Sequence, residues 1–224
     1  MNRTEPQVLR RTTSALLVIA PVLMGIGGAL SVRFDDQDWN GTLTGMAAHH
    51  ARSDVGWLLM LLSSALLIFG ALGLTDLLRA SRPRTANTVA ITSVLGWVGS
   101  AAICAGGLFM GAMAQSPDRA AQVQILKDFN SGRSNLVFLM CVAGALGFVA
   151  LAVALARSRV VPMGAAILVG LGGAGTLLVV PGPVKALLIL GAVLLLAGHV
   201  WILASLRSIP KTASRVATRE PAIT

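Results

Sequence analysis

Long apolar runs separated by short polar segments dominate this chain. Six stretches of at least 21 residues contain no Asp, Glu, Lys or Arg. A helix needs about 20 apolar residues to cross the hydrocarbon core of a bilayer, so each stretch predicts one membrane-spanning helix. The predicted spans are Thr12–Val32, Val55–Thr75, Thr85–Pro117, Ser134–Ala156, Val160–Val184 and Ala186–Leu206. We therefore predict an all-α, polytopic membrane protein built as a bundle of six transmembrane helices.

Composition agrees with this pattern and excludes other classes of protein. Of the 224 residues, 55% are hydrophobic and 12% are charged, whereas about a quarter of a soluble domain is charged. So little charge cannot cover a water-soluble globule, and so much apolar sequence excludes a disordered chain. The net charge is +9, but the arginines lie between apolar runs, as in membrane proteins. We therefore predict the lipid bilayer, and no nucleic acid, as a partner.

Similar segments recur along the chain and predict three tandem helical hairpins. Two spans start alike, at Arg52–Asp54 (Arg-Ser-Asp) and Arg133–Asn135 (Arg-Ser-Asn), and both end in a similar basic string. Pro181–Pro183 (Pro-Gly-Pro) predicts the tight turn of the third hairpin, because proline breaks a helix. In lipid, helices associate where small residues let their backbones approach closely. Glycines expected at such contacts are Gly25, Gly27, Gly28, Gly106, Gly107, Gly111, Gly170 and Gly173.

Two long loops between spans predict short amphipathic helices. The first covers Gly41–Ala51 and the second Pro117–Asn130. Each spaces its apolar residues so that they share one helical face. The residues on these two faces are Leu43, Met46, Ala47 and His50, and Ala120, Val123, Leu126 and Phe129. We expect both helices to lie on the outer membrane surface or to cap the bundle.

Basic residues predict the orientation in the cell membrane. Six spans put both termini on one side, and cytoplasmic segments carry an excess of Lys and Arg. Twelve basic residues lie on the side of the termini: Arg3, Arg10, Arg11, Arg79, Arg82, Arg84, Arg157, Arg159, Arg207, Lys211, Arg215 and Arg219. Six lie on the other side: Arg33, Arg52, Arg119, Lys127, Arg133 and Lys185. We therefore predict a cytoplasmic tail at 1–11, a transmembrane domain at 12–206 and a basic cytoplasmic tail at 207–224.

The first outer loop contains the densest acidic cluster, formed by Asp35, Asp36 and Asp38. It resembles the Asp-rich box of prenyl diphosphate synthases and terpene cyclases. That resemblance implies Mg²⁺ held against a diphosphate, with the three acids as catalytic and metal-binding residues. The second metal-binding box of those families is absent from the sequence. The alternative interpretation is a solvated polar loop, with no cofactor.

His49 and His50 follow in the same loop, near Asp54. A histidine beside a carboxylate could bind a divalent ion or assist proton transfer. Adjacent histidines on a helix point about 100° apart, so at most one faces a given site. Arg52 and Arg133, which are equivalent in the repeat, are candidates to clamp an anionic headgroup. Their alternative role is to pair with Asp54 and the nearby acids.

Ionisable residues within the spans are few, and such residues often mark ion or proton pathways. The candidates are Asp76 and His199, which lie near the same end of the bundle. They could contact each other, or Asp76 could lie beside Arg79 while His199 bonds a backbone group. Cys104 and Cys141 lie at similar depths on neighbouring spans and are expected to behave as small buried hydrophobes.

The pattern as a whole resembles small uncharacterised multi-spanning membrane proteins of actinobacteria. The segments that carry the resemblance are Pro21–Gly28, His50–Asp54, Leu58–Arg79 and Pro181–Pro183. The resemblance implies a six-helix fold and no established activity. We predict a non-enzymatic accessory subunit or a binder of a lipid or hydrophobic molecule in its bundle, with a protein partner or a second copy as a further possible partner. The alternatives are a membrane-embedded enzyme acting on a prenyl or lipid substrate and, third, a small transporter.

Overall fold

The computed structural model describes residues 5–32, 35, 38–79, 81–130, 134–179 and 185–207. These residues form eight α-helices, which confirms the predicted all-helical class for the described part of the chain. The helices are α1 (Glu5–Leu30), α2 (Trp39–Ala48), α3 (His50–Arg79), α4 (Pro83–Met113), α5 (Arg119–Asn130), α6 (Ser134–Ser158), α7 (Met163–Val179) and α8 (Lys185–Arg207).

Four of the helices are long and apolar enough to cross a membrane. These are α3, α4, the Asn135–Ser158 part of α6, and α8. Two further apolar segments, Ser14–Leu30 in α1 and Met163–Val179 in α7, are shorter. A multi-pass membrane protein is therefore consistent with the structure, while the count of six spans stays a prediction. The predicted Pro-Gly-Pro turn lies outside the described residues.

The six long helices form a closed ring. Each packs against two others, in the order α1, α3, α4, α6, α7, α8, and α8 returns to α1. At the closing contact, a side chain on Gly28 would meet Leu188 of α8, and one on Gly25 would meet Ala192. Helices α1 and α8 therefore run antiparallel, because residue numbers along α1 increase where the numbers of their partners on α8 decrease. Local sequence gives no sign of this contact between the first and the last helix.

Helices α3 and α4 meet along a seam with a heptad spacing. Their buried positions alternate steps of three and four residues, the spacing that keeps one stripe facing a partner helix. On α3 these positions are Ser53, Trp57, Met60, Ser64, Leu67, Ala71, Leu74 and Leu78. On α4 they are Ala86, Ala90, Ser93, Trp97, Ser100, Cys104, Gly107 and Gly111. The Trp57 ring lies against Gly107, and Ser64 shares a hydrogen bond of 2.9 Å with Ser100, which fixes an antiparallel register.

Three pairs of glycines lie where successive long helices cross. They are Gly27 with Gly56, Gly96 with Gly144, and Gly172 with Gly191. At each pair, a Cβ on the first glycine would come within 2.8 Å of backbone atoms of the second. The backbones therefore touch at all three crossings, as small residues allow in membranes.

One predicted glycine contact is wrong. Gly106 faces open space, whereas a Cβ on its neighbour Gly107 would lie 2.3 Å from the Trp57 ring. Successive residues on a helix point about 100° apart, so only one of two adjacent glycines can face the same partner. The other glycines named as contact sites each have a neighbour within 4 Å.

Helices α2 and α5 occupy the two loops in which short amphipathic helices were predicted. They contact each other, and α2 also packs on α3 and α4. Leu43 and Met46 of α2 and Leu126 of α5 are buried. These contacts correspond to the capping alternative, in which the short helices cover one end of the ring. The predicted α5 face is only partly right, since Ala120 and Phe129 are exposed.

The interior of the ring is filled with large apolar side chains. Trp97 and Phe148 meet edge to face with their ring centroids 5.7 Å apart. Phe148 also lies against Gly173 of α7, and Leu177, one turn further along α7, reaches Gly96 of α4. Among the described residues, the buried polar side chains are hydroxyls and one imidazole: Ser31, Thr42, Ser53, Ser63, Ser64, Thr75, Ser93, Ser100, Thr176 and His199.

Candidate functional site

The last turn of α1 and the residues that follow it, Ala29–Val32, form what we call the α1 carbonyl end. Four backbone carbonyls at the end of a helix have no partner within the helix and must find one elsewhere. Arg52 of α3 donates from Nη2 to the Ala29 carbonyl at 3.3 Å, and the Lys185 ammonium of α8 donates to the Ser31 carbonyl. Two cations from two different helices therefore converge on one helix end.

Hydroxyl groups complete the α1 carbonyl end. The Val32 amide donates to the Ser53 hydroxyl at 3.3 Å, and the Ser31 hydroxyl donates to the Gly28 carbonyl at 3.3 Å. Ser53 and Ser31 are both buried, while Arg52 is exposed and Lys185 is half-buried. The hydroxyls thus hold the backbone from inside the ring, and the cations lie toward its surface.

His50 and Asp54 lie in contact on the first turn of α3, as a pair that is ionic only when His50 is protonated. His50 Nδ1 lies 3.2 Å from Asp54 Oδ2, with both side chains partly exposed. The second carboxylate oxygen, Oδ1, is buried without a hydrogen-bond partner within the described part of the chain, and it lies against Gly111. Asp54 therefore pairs with His50, and Arg52 turns to α1 instead.

The described acids of the first loop contribute to local structure. Asp38 is the N-cap of α2, and its Oδ1 accepts from the Gly41 amide at 2.8 Å. The Asp35 amide donates to the Thr42 hydroxyl at 3.0 Å, which ties the loop to a buried residue of α2. Asp36 lies outside the described residues, as does Arg133.

His49 ends α2 rather than facing a site. Its backbone N–H donates to the Gly45 carbonyl, and its side chain is exposed. Within the described ranges, no group of three or more His, Cys, Asp or Glu residues is placed to hold a metal ion. The Mg²⁺ box implied by the resemblance and the divalent-ion site suggested for the histidines therefore stay hypotheses, and the Mg²⁺ box includes Asp36, which lies outside the described residues.

Asp76 and His199 each interact with a different group rather than with each other. Asp76 is exposed and pairs with Arg79 at 3.4 Å, one turn further along α3. His199 is buried, and its Nδ1 lies 2.8 Å from the Leu17 carbonyl of α1. His199 Nε2 has no hydrogen-bond partner among the described residues. The imidazole therefore links α8 to α1 deep within the ring.

A small polar cluster lies on the seam between α3 and α4. Ser64 and Ser100 share a hydrogen bond, and Cys104 interacts with both hydroxyls. Cys141 of α6 lies against Gly99, and both thiols are free and buried. The cysteines therefore occupy packed positions between helices, with no opening to the surface.

Sequence reasoning did not identify Lys185 as part of a site. It paired Arg52 with Arg133, because these two residues are equivalent in the internal repeat. One feature of the sequence could have indicated its role: Lys185 lies at the start of an apolar run, on the same side of the predicted bundle as the outer loops. Only the closure of the ring between α8 and α1 brings Lys185 beside Arg52.

Comparison with known protein families matches residues 12–206 to the domain of unknown function DUF4386. A search of curated proteins and a search of solved structures returned no match. The matched segment covers helices α2 to α7, α1 from residue 12 onward and α8 up to residue 206. The chain therefore belongs to the DUF4386 family.

Proposed function

We propose that this chain crosses a bacterial cell membrane six times, with both termini in the cytoplasm, and acts there as a non-enzymatic accessory protein that binds lipid or a partner protein on its outer surface. The packing of the ring interior is the observation that carries this proposal. Trp97 and Phe148 meet edge to face, and both are fully buried, as is Leu177. A ligand or partner therefore has the outer surface of the ring available to it.

The apolar helices α1 and α7 support six spans through their neighbours. Helix α7 has 17 residues, or about 25 Å of helix, against a hydrocarbon core of about 30 Å. It packs between α6 and α8, which are both long enough to cross. Helix α1, with 26 residues, packs in the same way between α3 and α8. A short span such as α7 among longer ones is accommodated by local thinning of the bilayer.

The exposed surface supports a lipid or protein partner. Large apolar side chains that are about half exposed occur on every long helix of the ring. Examples on successive helices are Ile19, Leu62, Ile91, Leu146, Leu171 and Leu190. Exposed apolar patches larger than a few hundred Å² mark membrane or protein contacts in general. We expect acyl chains to cover most of this surface and a partner or second copy to cover the rest.

The first loop provides a test against the enzymatic alternative. Changing Asp35, Asp36 and Asp38 together to Asn should leave folding and cellular function nearly unchanged. Asn caps a helix about as well as Asp, and exposed loop substitutions usually change stability by less than about 0.5 kcal/mol. The measurements are thermal stability in mild detergent, with and without Mg²⁺, and complementation of a deletion strain.

Asp38→Ala is the structural control for this triple variant. It removes the cap that Gly41 uses and should cost about 1 kcal/mol, with no dependence on Mg²⁺. A well-folded triple variant that loses cellular function, together with Mg²⁺ stabilisation of the wild type only, would establish the enzymatic alternative instead.

Cysteine labelling tests the orientation. Ala120→Cys on α5 and Ser81→Cys between α3 and α4 place thiols at exposed positions near opposite ends of the ring. The native thiols are buried and should label slowly. In intact cells, a membrane-impermeant maleimide should label position 120 and leave position 81 unlabelled. Labelling of position 81 alone would reverse the orientation.

A further inference from the structure

We infer that the α1 carbonyl end, together with Arg52 and Lys185, binds the phosphate of an anionic phospholipid. Both cations donate to carbonyls of the same helix end, at Ala29 and Ser31. This inference rests on the proposed membrane function and names the lipid class and the site.

Within the described part of the chain, no carboxylate pairs with either cation of this site. A helix C-terminus carries roughly half a negative charge, whereas Arg52 and Lys185 contribute two positive charges. The ion pairs in the described part of the chain are His50–Asp54 and Asp76–Arg79, so neither cation is paired with a carboxylate there. An anion is therefore the ligand that the site attracts.

Both cations keep donors for a ligand. A guanidinium has five N–H donors and an ammonium has three, and among the described residues one donor of each cation is bonded, in both cases to an α1 carbonyl. Phosphate oxygens accept such charge-assisted bonds, and a guanidinium can donate two in parallel. Arg52 is exposed, so its free donors are accessible from the headgroup layer.

An apolar surface for acyl chains begins next to the cations. Ile26 lies three residues before Ala29 on α1, and Val22 lies four residues before Ile26, so the three share one helix face. Ile26 and Val22 are 48% and 40% exposed. On α8, Leu187 and Leu190 are 49% and 52% exposed. Helices α1 and α8 are in contact. A phosphate at the cations would therefore have its lipid tails against these two helices.

The test is a lipid titration of the full chain in mild detergent, followed by native mass spectrometry. Dioleoylphosphatidylglycerol should bind at one site per chain in the wild type. Arg52→Gln combined with Lys185→Gln should weaken this binding roughly 30-fold, as expected for two basic residues at a membrane surface. Arg52→Lys combined with Lys185→Arg preserves both charges and should retain most of the affinity.

A charge-matched control separates this site from general attraction of anions. Arg84→Gln combined with Lys127→Gln removes two exposed cations elsewhere on the bundle and should leave the affinity of the site unchanged. If the double variant at the site aggregates, the single variant Arg52→Gln replaces it in the titration. Its affinity for dioleoylphosphatidylglycerol should be roughly fivefold weaker than that of the wild type. Equal losses in the site variant and the control variant would overturn the inference.

Two further ligands identify the source of the phosphate. Dioleoylphosphatidylcholine should bind more weakly than phosphatidylglycerol, because its headgroup has no net charge. Inorganic phosphate at millimolar concentration should not displace phosphatidylglycerol, because it lacks tails for α1 and α8. Equal binding of both lipids, or displacement by phosphate, would overturn the lipid assignment. The proposed membrane function would still stand in that case, provided that the labelling pattern at positions 81 and 120 holds.

Discussion

Gly172→Ala should destabilise the folded protein strongly, and Gly175→Ala should not. A Cβ on Gly172 would lie 2.3 Å from the Leu195 amide nitrogen and 2.7 Å from its Cα, whereas a Cβ on Gly175 would meet nothing within 4 Å. The obstructing atoms belong to the backbone of α8, so no rotamer change relieves the clash. Overpacking of this kind typically costs about 1–3 kcal/mol.

The two positions form a matched pair on α7. Both substitutions replace glycine with a better helix former, which by itself favours the helix by about 1 kcal/mol. We therefore expect Gly175→Ala to be neutral or stabilising and Gly172→Ala to lower the thermal midpoint in mild detergent. Gly172→Leu should lower it further. Equal midpoints for the two alanine variants would contradict the close contact of α7 with α8.

A second glycine pair repeats the comparison at another contact. Gly107 lies against the Trp57 ring on the seam between α3 and α4, and Gly106 faces open space. Sequence alone could not separate these two neighbours, because both satisfy the same small-residue pattern. The rotation of α4 decides which one faces α3, and that rotation depends on the heptad stripe of the whole helix.

The apolar runs predicted the long helices well because the signal is local. About 20 residues without charge suffice to indicate one span, and every predicted run overlaps one long helix of the structure. Helix ends were less accurate. For example, α3 begins at His50, before the predicted start at Val55, because the helix continues through the polar turn that holds Arg52 and Asp54.

Helix partners could not be predicted in the same way. The repeat suggested that Arg52 acts with Arg133, yet the structure brings Arg52 and Lys185 to the same helix end. That arrangement depends on contact between the first and last helices, which are separated by most of the chain. Interactions within one helix were easier to predict from the sequence. Asp76 and Arg79, for example, lie one turn apart, and they form the ion pair that this spacing allows.

Trp97→Ala should be among the most destabilising single substitutions in this protein. The side chain is fully buried and meets Phe148 edge to face, so truncation leaves a large cavity between α4 and α6. Replacing a buried Trp or Phe by Ala typically costs about 3–5 kcal/mol. For a chain of this size, that cost lowers the thermal midpoint by roughly 10 °C.

Two further variants, Trp201→Ala and Trp97→Phe, test whether the loss of stability depends on the buried contact of Trp97. Trp201 is 47% exposed, so its truncation should cost less than about 1 kcal/mol. Trp97 Nε1 is buried without a hydrogen-bond partner among the described residues. Phe at position 97 therefore loses no hydrogen bond and keeps most of the contact with Phe148, and it should recover most of the stability lost in Trp97→Ala.

Thermal unfolding of the three variants in one detergent gives the ranking. Similar midpoints for Trp97→Ala and Trp201→Ala would contradict a packed interior and would favour a ligand cavity inside the ring.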